Sequence, residues 1–297
     1  MDLYPTQPIH SLSNTDYTDQ NKTTTGSRLK QFFQRNTDKT NAATGSSNPF
    51  RIVVAQRTDV GRKRKHNEDN VAYIIPKDEQ LRAIKGALFI VADGMGGHAA
   101  GEVASEIAVS TVCNLYYQNT DPDVAANLMN AIKYANLAIY QSAHENQQQS
   151  GMGTTCVAAV LRGETAFIAN VGDSRAYLVR RGMVKQVTQD HSWVMEQIQM
   201  GRMSEEEART HEMRNVITRS LGPFPDVDVD IFAEQLEEGD GLVLCSDGLS
   251  GMMTDLDILR IVEGFTPQES VLQLLNYANA QGGADNITAI VVRVLPA

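Results

Sequence analysis

Ala87-Leu88-Phe89-Ile90-Val91-Ala92-Asp93-Gly94-Met95-Gly96-Gly97-His98 is the stretch on which the reading of this chain turns. Six mostly apolar residues are too few for a solvent-facing helix and read as a buried strand. The strand ends in an aspartate followed by three glycines within four positions. A carboxylate at the mouth of a buried strand is held rigidly, and glycines let backbone and carbonyls approach a ligand closely. The same design returns as Gly241-Leu242-Val243-Leu244-Cys245-Ser246-Asp247-Gly248. It is partly mirrored by Ala284-Asp285-Asn286 ahead of the strand Ile287-Thr288-Ala289-Ile290-Val291-Val292. One Asp-Gly pair is an ordinary turn; three strand-end aspartates in one chain point to a shared site.

With 297 residues and ordinary apolar content, the chain can bury a sizeable core. The net charge is −10, and residues 1–49, with five Lys/Arg and four Asp, leave −11 to the rest. An acidic body argues against nucleic acid as a partner, since phosphate backbones need a basic face. It suits a site that gathers carboxylates around cations. Cys113, Cys156 and Cys245 are far apart in apolar stretches, without a CxxC pair or Cys/His cluster. They read as buried thiols in a reducing compartment, not as zinc ligands or disulfides. There is no membrane-length apolar run and no secretory signal pattern, so a cytoplasmic protein without a membrane span is expected.

Residues 1–49 are rich in Thr, Asn, Gln, Ser and Asp and are expected to be a disordered polar tail. The island Ser27–Arg35 is too short to hold a helix alone and reads as solvated linker. The folded part, 50–297, opens with a strand at Phe50–Gln56. A loop follows that carries four consecutive basic residues, Arg62-Lys63-Arg64-Lys65, and then a strand at Asn70–Ile75. Because the basic run leads straight into Glu68-Asp69 between two strands, it reads as a loop presenting arginine to an anion. Apolar residues at helical spacing mark helices over 101–118 and 123–145. Short strands near 154–161, 165–171, 175–181 and 183–188 follow, with a tight Gly172-Asp173-Ser174 between two of them.

Residues 192–222 read as an irregular insert, helical in pieces, with a capping box at Ser204-Glu205-Glu206-Glu207 and Gly201 closing the helix before it. Asp226, Asp228 and Asp230 alternate with valines and read as the wet side of a strand, not as ligands. Helices over Thr254–Gly264 and Thr266–Gly282 precede the last strand, 287–294. The second starts with a Thr-Pro-Gln-Glu cap. Strands and helices thus come in blocks, which argues for an α+β fold with antiparallel sheets.

The candidate ligands Asp93, Asp247, Asp285, Glu68, Asp69 and Asp173 are all oxygen donors, a set suited to hard Mg²⁺ or Mn²⁺ rather than Zn²⁺. Converging carboxylates would repel one another and raise their pKa values; bound divalent ions reverse that penalty. Two ions bridged by one aspartate can hold a hydroxide that attacks a phosphate ester in line. Arg64 is suited to grip the phosphate, because a guanidinium forks onto two oxygens.

In chain order stand Thr58-Asp59-Val60-Gly61-x-x-Arg64-x-x-Asn67-Glu68-Asp69, Val91-Ala92-Asp93-Gly94-Met95-Gly96-Gly97-His98, Gly151-Met152-Gly153-Thr154-Thr155, Asn170-Val171-Gly172-Asp173-Ser174-Arg175, Asp190-His191-Ser192, Ser246-Asp247-Gly248 and Asp285-Asn286. This series resembles the metal-dependent Ser/Thr protein phosphatases (PPM, or type 2C) in their bacterial form, over about residues 50–296. The resemblance implies a four-layer sandwich of two antiparallel β-sheets flanked by α-helices. It also implies hydrolysis of phosphoserine and phosphothreonine in proteins by a metal-bridging water or hydroxide. Asp93 would bridge two central Mg²⁺ or Mn²⁺ ions and the Gly94 carbonyl would bind one of them. Asp247 and Asp285 would hold the other, with Glu68 helping through water, and Asp173 would serve a third, weaker ion. Arg64 would bind the phosphate, and 192–222 would form a flap beside the site. Phosphorylated proteins, substrates of Ser/Thr kinases, would be the partners of a monomeric enzyme acting in signalling.

One departure is visible. Family members with Asp-Gly-His carry a histidine two residues after the bridging aspartate, as candidate acid for the leaving alkoxide. Here that position is Met95, and His98 comes three residues later; no essential acid role is expected for it, since metal-bound water could protonate the leaving group. His191 reads as structural. Two other readings stay open: a non-catalytic member that binds phosphoprotein or a regulator through the same surface, and an aspartyl-nucleophile phosphatase. The second wants Asp-x-Asp, which Asp93-Gly94-Met95 lacks.

Overall fold

The structure, a computed structural model, describes residues 50–96 and 99–297, which lie within the unit Asn41–Ala297. The disordered-tail reading of 1–49 and any role of His98 lie outside the described residues.

Two antiparallel sheets carry the fold. The first contains β1 (Phe50–Asp59), β7 (Arg175–Arg180), β8 (Met183–Gln186), β10 (Gly241–Cys245) and β11 (Ile287–Pro296), in the order β1-β11-β10-β7-β8. The second contains β2 (Asp69–Ile74), β3 (Ala87–Met95), β5 (Cys156–Arg162), β6 (Thr165–Val171) and β9 (Asp230–Gln235), in the order β2-β3-β5-β6-β9. The short β4 (Gly153–Thr154) pairs with the end of β3. Strand alternation explains the layering. Phe89 and Val91 of β3, with Val157, Ala159 and Ile168 of β5 and β6, pack against Leu178, Leu242, Leu244, Ile290 and Val292 of the other sheet. Leu88 and Ile90, one step out of phase, are buried on the opposite face.

Helices close both outer faces. Long α2 (Ala99–Gln118) and α3 (Val124–Glu145) cover the second sheet. On the first sheet, Tyr177, Val243, Ala289 and Val291 pack against Ile258 and Val262 of α7 (Asp255–Gly264) and Leu274, Leu275 and Ala278 of α8 (Pro267–Ala280). The expected four-layer α+β sandwich is therefore the fold. Among the described residues no helix is long and apolar enough to cross a membrane, and the three cysteines are free and buried.

Local chemistry explains most boundaries. Ser204 and Glu207 form the expected capping box at the start of α5 (Glu205–Thr210), and Gly201, at φ +65°, follows α4 (Trp193–Gln199). Thr266 caps α8 with Glu269 reciprocating and Pro267 in its first turn. The helix α1 (Glu79–Lys85), capped by Asp78, was not expected: its seven residues are too few for a clear period. The expected alternation at 226–230 is present, with Asp226 and Asp228 exposed and Val227 and Val229 buried, but pairing begins only at Asp230.

The tight Gly172-Asp173-Ser174 stretch is not a hairpin. Its two flanking strands belong to different sheets, since β6 pairs with β5 and β9 while β7 pairs with β10 and β8. The chain changes layers here with Gly172 at φ +109° and pressed against Thr155, so that a Cβ would lie 2.6 Å from Thr155 Cγ2. That crossover brings Asp173 to the same end of the sandwich as Asp93.

Candidate metal centre and active site

Four chain segments end at one rim of the sandwich. Asp93 lies near the end of β3, directly opposite Asp69 at the start of β2. Asp247 follows β10 and opens the short helix α6 (Asp247–Ser250), while Asp285 precedes β11, the neighbour of β10. Asp173 sits on the crossover. The group is electrostatically one unit. Burial first, then the charges of Asp69, Asp247, Asp173 and Asp285, hold the Asp93 carboxyl well above its ordinary range. Burial raises Asp69 to about 7 against hydrogen bonds from Thr288 and Ser246, with Asp247 and Asp285 adding repulsion. Burial and the charges of Asp247 and Asp190 raise Asp173 to about 8. Asp247 is raised by burial and by Asp285, while a hydrogen bond with Asp93 works the other way.

The polar residues flanking these aspartates fix them in place. Thr154 Oγ1 donates to the Asp93 carbonyl at 2.8 Å, and the Asp93 N–H donates to Thr155 Oγ1 at 3.0 Å. Thr155 Oγ1 in turn lies 2.7 Å from Ser174 Oγ, tying the Asp93 strand to the Asp173 crossover. Ser246 Oγ donates to Asp69 Oδ2 at 2.8 Å. The Asn286 side chain accepts from Glu68 N (2.8 Å) and donates to the carbonyls of Val60 (3.0 Å) and His66 (2.9 Å). The basic loop is thereby fastened to the residue next to Asp285.

Glu68 is buried; its carbonyl accepts from Gly94 N (3.2 Å) and Ser105 Oγ (2.6 Å), and its carboxylate lies against Gly101, where a Cβ would collide with it. Gly94 is equally confined, wedged between the carbonyls of Gly101 and Glu68. Arg64 is half exposed, and its Nη2 donates to Asp285 Oδ2 at 2.8 Å. All seven sequence-derived positions, Arg64, Glu68, Asp93, Gly94, Asp173, Asp247 and Asp285, thus gather at one end of the fold.

Asp69 stands in the middle of the cluster, although sequence reasoning gave it no role beyond candidate ligand. Ser246, Asn286 and Thr155 lie within the motifs but carry no chemistry that marks them as supports from sequence alone. The available signal was small polar residues inside otherwise apolar strand ends. His191 is held at both ring nitrogens, a setting that suits a structural role: Gly172 N–H donates to its Nδ1 (3.0 Å), and Nε2 lies 3.0 Å from Asp230 Oδ2 and 2.9 Å from Arg219 Nη1. Arg175 forks onto Asp190 and reaches Tyr177 Oη, bracing the strand after Asp173. The insert 192–222 is closed on itself by Trp193 N to Val216 O and fastened to the body by Thr218 N to His191 O and by the paired Thr154 and Leu221 beside Gly94.

The donor set fits hard divalent cations. It is all oxygen, it is overcharged for its burial, and Asp69 Oδ1 and Asp173 Oδ1 are buried with no hydrogen-bond partner. Among the described residues, no three histidine, cysteine, aspartate or glutamate side chains stand close enough together to hold a metal ion as placed, and Asp285 is turned toward Arg64. The cluster is therefore open, with a guanidinium meeting part of its charge.

These shifts have a signed consequence for stability. Unfolded, Asp69 and Asp173 titrate at about 4; folded and metal-free, they hold their protons to about 7 and 8. Between those limits the native state binds more protons, so stability falls as pH rises across the window. Metal-free protein is expected to melt at higher temperature at pH 6 than at pH 8. Asp173→Asn should shrink that difference, and saturating Mn²⁺ should remove it. A metal-free melting temperature indifferent to pH over this range would show that the carboxylates do not repel as described.

A family model described as protein phosphatase 2C matches residues 62–289. The serine/threonine phosphatase stp of Listeria innocua is 40% identical over 241 residues, covering 80% of this chain and 93% of that protein. The crystal structure of the Mycobacterium tuberculosis serine/threonine phosphatase PstP/Ppp superposes with a TM-score of 0.74 at 35% identity, covering 83% of this chain and 99% of that one. A structure of the PstP catalytic domain in complex with two manganese ions gives 0.72 at 35% identity, covering 82% and 98%. The chain belongs to the protein phosphatase 2C family, and it has the fold of the family's serine/threonine phosphatases.

Proposed function

We propose that the chain is a Mg²⁺- or Mn²⁺-dependent phosphatase that hydrolyses phosphoserine and phosphothreonine in proteins, with residues 50–297 as its catalytic domain. The observation that carries this reading is the convergence of Asp93, Asp247, Asp285, Asp173 and Asp69 from separate parts of the chain, with the carboxyls of Asp69, Asp93, Asp173 and Asp247 raised in pKa and Arg64 at the edge. Asp93, Asp247, Asp285 and the Gly94 carbonyl would hold two ions, with Glu68 assisting and Asp173 serving a third. When bound, the ions supply the Lewis acidity that activates water for in-line attack on phosphorus without a covalent intermediate.

The chain's own contribution is placement. Arg64 forks onto two phosphate oxygens and leaves the ester bond directed away from the cluster. Its pair with Asp285 is exposed and correspondingly weak, so the guanidinium moves to phosphate at little cost. The insert 192–222, whose Leu221 pairs with Thr154 beside Gly94, would meet the protein part of the substrate. On this reading the enzyme works as a cytoplasmic monomer that opposes Ser/Thr kinases in signalling.

Phosphate release from a phosphothreonine peptide tests the reading: it should require Mn²⁺ or Mg²⁺ and stop with EDTA. Metal binding without turnover on any phosphopeptide would instead leave a non-catalytic binding protein. Arg64→Ala should lower kcat/KM by about a hundredfold, the loss of a charged, forked hydrogen bond worth about 2–3 kcal/mol. Arg64→Lys should recover part of it, mostly in KM. Both variants should melt within a few degrees of the parent, since an exposed pair adds little stability. Unchanged kcat/KM in Arg64→Ala would remove the phosphate-binding role.

A further inference from the structure

The catalytic reading uses one cation of the run Arg62-Lys63-Arg64-Lys65 and leaves three. The side chains of Arg62, Lys63 and Lys65 are exposed, and among the described residues none of them makes an ion pair or a side-chain hydrogen bond. Their backbone, by contrast, is fixed. Arg62 N and Lys63 N both donate to Gly283 O (2.8 and 3.2 Å), and Asn286 holds the carbonyls of Val60 and His66 on either side. Gly61, at φ +79°, packs so closely on the Asp285 carbonyl that no side chain fits. Three unneutralised cations are thus mounted on a rigid loop at the mouth of the acidic cluster, in a protein whose net charge is −10.

We infer that Arg62, Lys63 and Lys65 are specificity residues that bind acidic or further phosphorylated side chains flanking the phosphoresidue held by Arg64. The inference rests on the phosphate-binding reading of Arg64 and deepens it. An extended peptide advances about 3.3–3.6 Å per residue, so a loop flanking Arg64 on both sides reaches neighbours one to three positions from the phosphoresidue. The fixed backbone leaves only side-chain ordering as a cost. An acidic protein surface would otherwise repel an acidic substrate, and local cations at the mouth reverse that sign where the substrate docks. Nucleic acid is a poorer occupant, because three cations on an acidic body do not make the extended basic face that a phosphate backbone requires.

The test compares phosphothreonine peptides that differ only in having Glu or Gln at the flanking positions. Full-length protein is set against the combined Arg62→Gln, Lys63→Gln, Lys65→Gln variant. The parent should favour the acidic peptide by about tenfold in kcat/KM at low salt, as expected for a few exposed charge pairs, with the preference fading at high salt. The variant should lose most of that preference and still hydrolyse p-nitrophenyl phosphate at the parental rate. Fluorescence anisotropy with the same labelled peptides reads the preference without turnover. A parent with no acidic preference, a variant that keeps it, or duplex DNA that competes better than the acidic peptide would each overturn the inference. Loss of Mn²⁺-dependent p-nitrophenyl phosphate hydrolysis in the parent itself would instead count against the phosphatase reading, and the anisotropy comparison would still decide the charge preference.

Discussion

Asp93→Asn is expected to lower kcat by about a thousandfold or more while leaving the metal-free protein as stable as the parent, or more so. The two effects have one cause. Asp93 lies at the centre of a cluster in which burial and four neighbouring carboxylates oppose its ionisation. Removing its charge relieves that repulsion in the absence of metal. On the proposed reading it also removes the carboxylate that would be shared between two cations, and Lewis-acid stabilisation of phosphoryl transfer is worth several kcal/mol, about one decade in rate per 1.4 kcal/mol. The check is a pair of melting curves in EDTA and in Mn²⁺, with phosphate release measured on the same samples. Parent protein should gain thermal stability with Mn²⁺, and Asp93→Asn should gain little. A variant that loses activity because it unfolds would not fit, since the predicted signature is inactivity in a well-folded chain.

Gly248→Ala should damage both stability and catalysis, although Gly248 has no functional group. Gly248 does not need a left-handed backbone; its constraint is space alone. A Cβ there would overlap the Asn286 carbonyl oxygen and approach Asp285 Cβ at 3.3 Å. Neither neighbour can yield cheaply. The Asn286 carbonyl is backbone, and its side chain holds Glu68 N and the carbonyls of Val60 and His66. Overpacking of this kind costs about 1–3 kcal/mol. The displacement falls between Asp247 and Asp285, so a shift of about 1 Å should cost about a hundredfold in kcat. Thermal melts together with the Mn²⁺ concentration giving half-maximal activity would read both effects. A variant with parental stability and parental Mn²⁺ dependence would show that the contact is not confining.

Much of this was readable from residues alone, and the reason is local chemistry. A carboxylate after a short apolar run marks a strand end at Asp93 and Asp247, and one before a run marks a strand start at Asp285. These features survive whatever the rest of the chain does. Helix starts were equally plain where Ser204 and Thr266 cap their helices, because a capping box is settled within four residues. Sheet membership was not readable. Thr165–Val171 and Arg175–Arg180 look alike in pattern, yet they pair in different sheets, a choice made by partners far away in sequence. The layer change at Gly172-Asp173-Ser174 was therefore hidden, and with it the reason Asp173 joins the cluster. Asp69 was hidden differently. Adjacent to Glu68, it could have faced either way, and only the pairing of Asp69 with Asp93 shows that it points into the site. The helices capped by Ser204 and Thr266 needed no such distant information.

The central claim is that aspartates brought together from distant strand ends hold the divalent ions that drive phosphate-ester hydrolysis. It is tested most directly by titrating Mn²⁺ into metal-free parent protein and Asp247→Asn by calorimetry, while following phosphate release from a phosphothreonine peptide over the same concentrations. The account predicts that turnover in the parent rises with occupancy of the ion sites, and that both binding and turnover collapse together in the variant. Full turnover in EDTA, or parental turnover in Asp247→Asn, would contradict it.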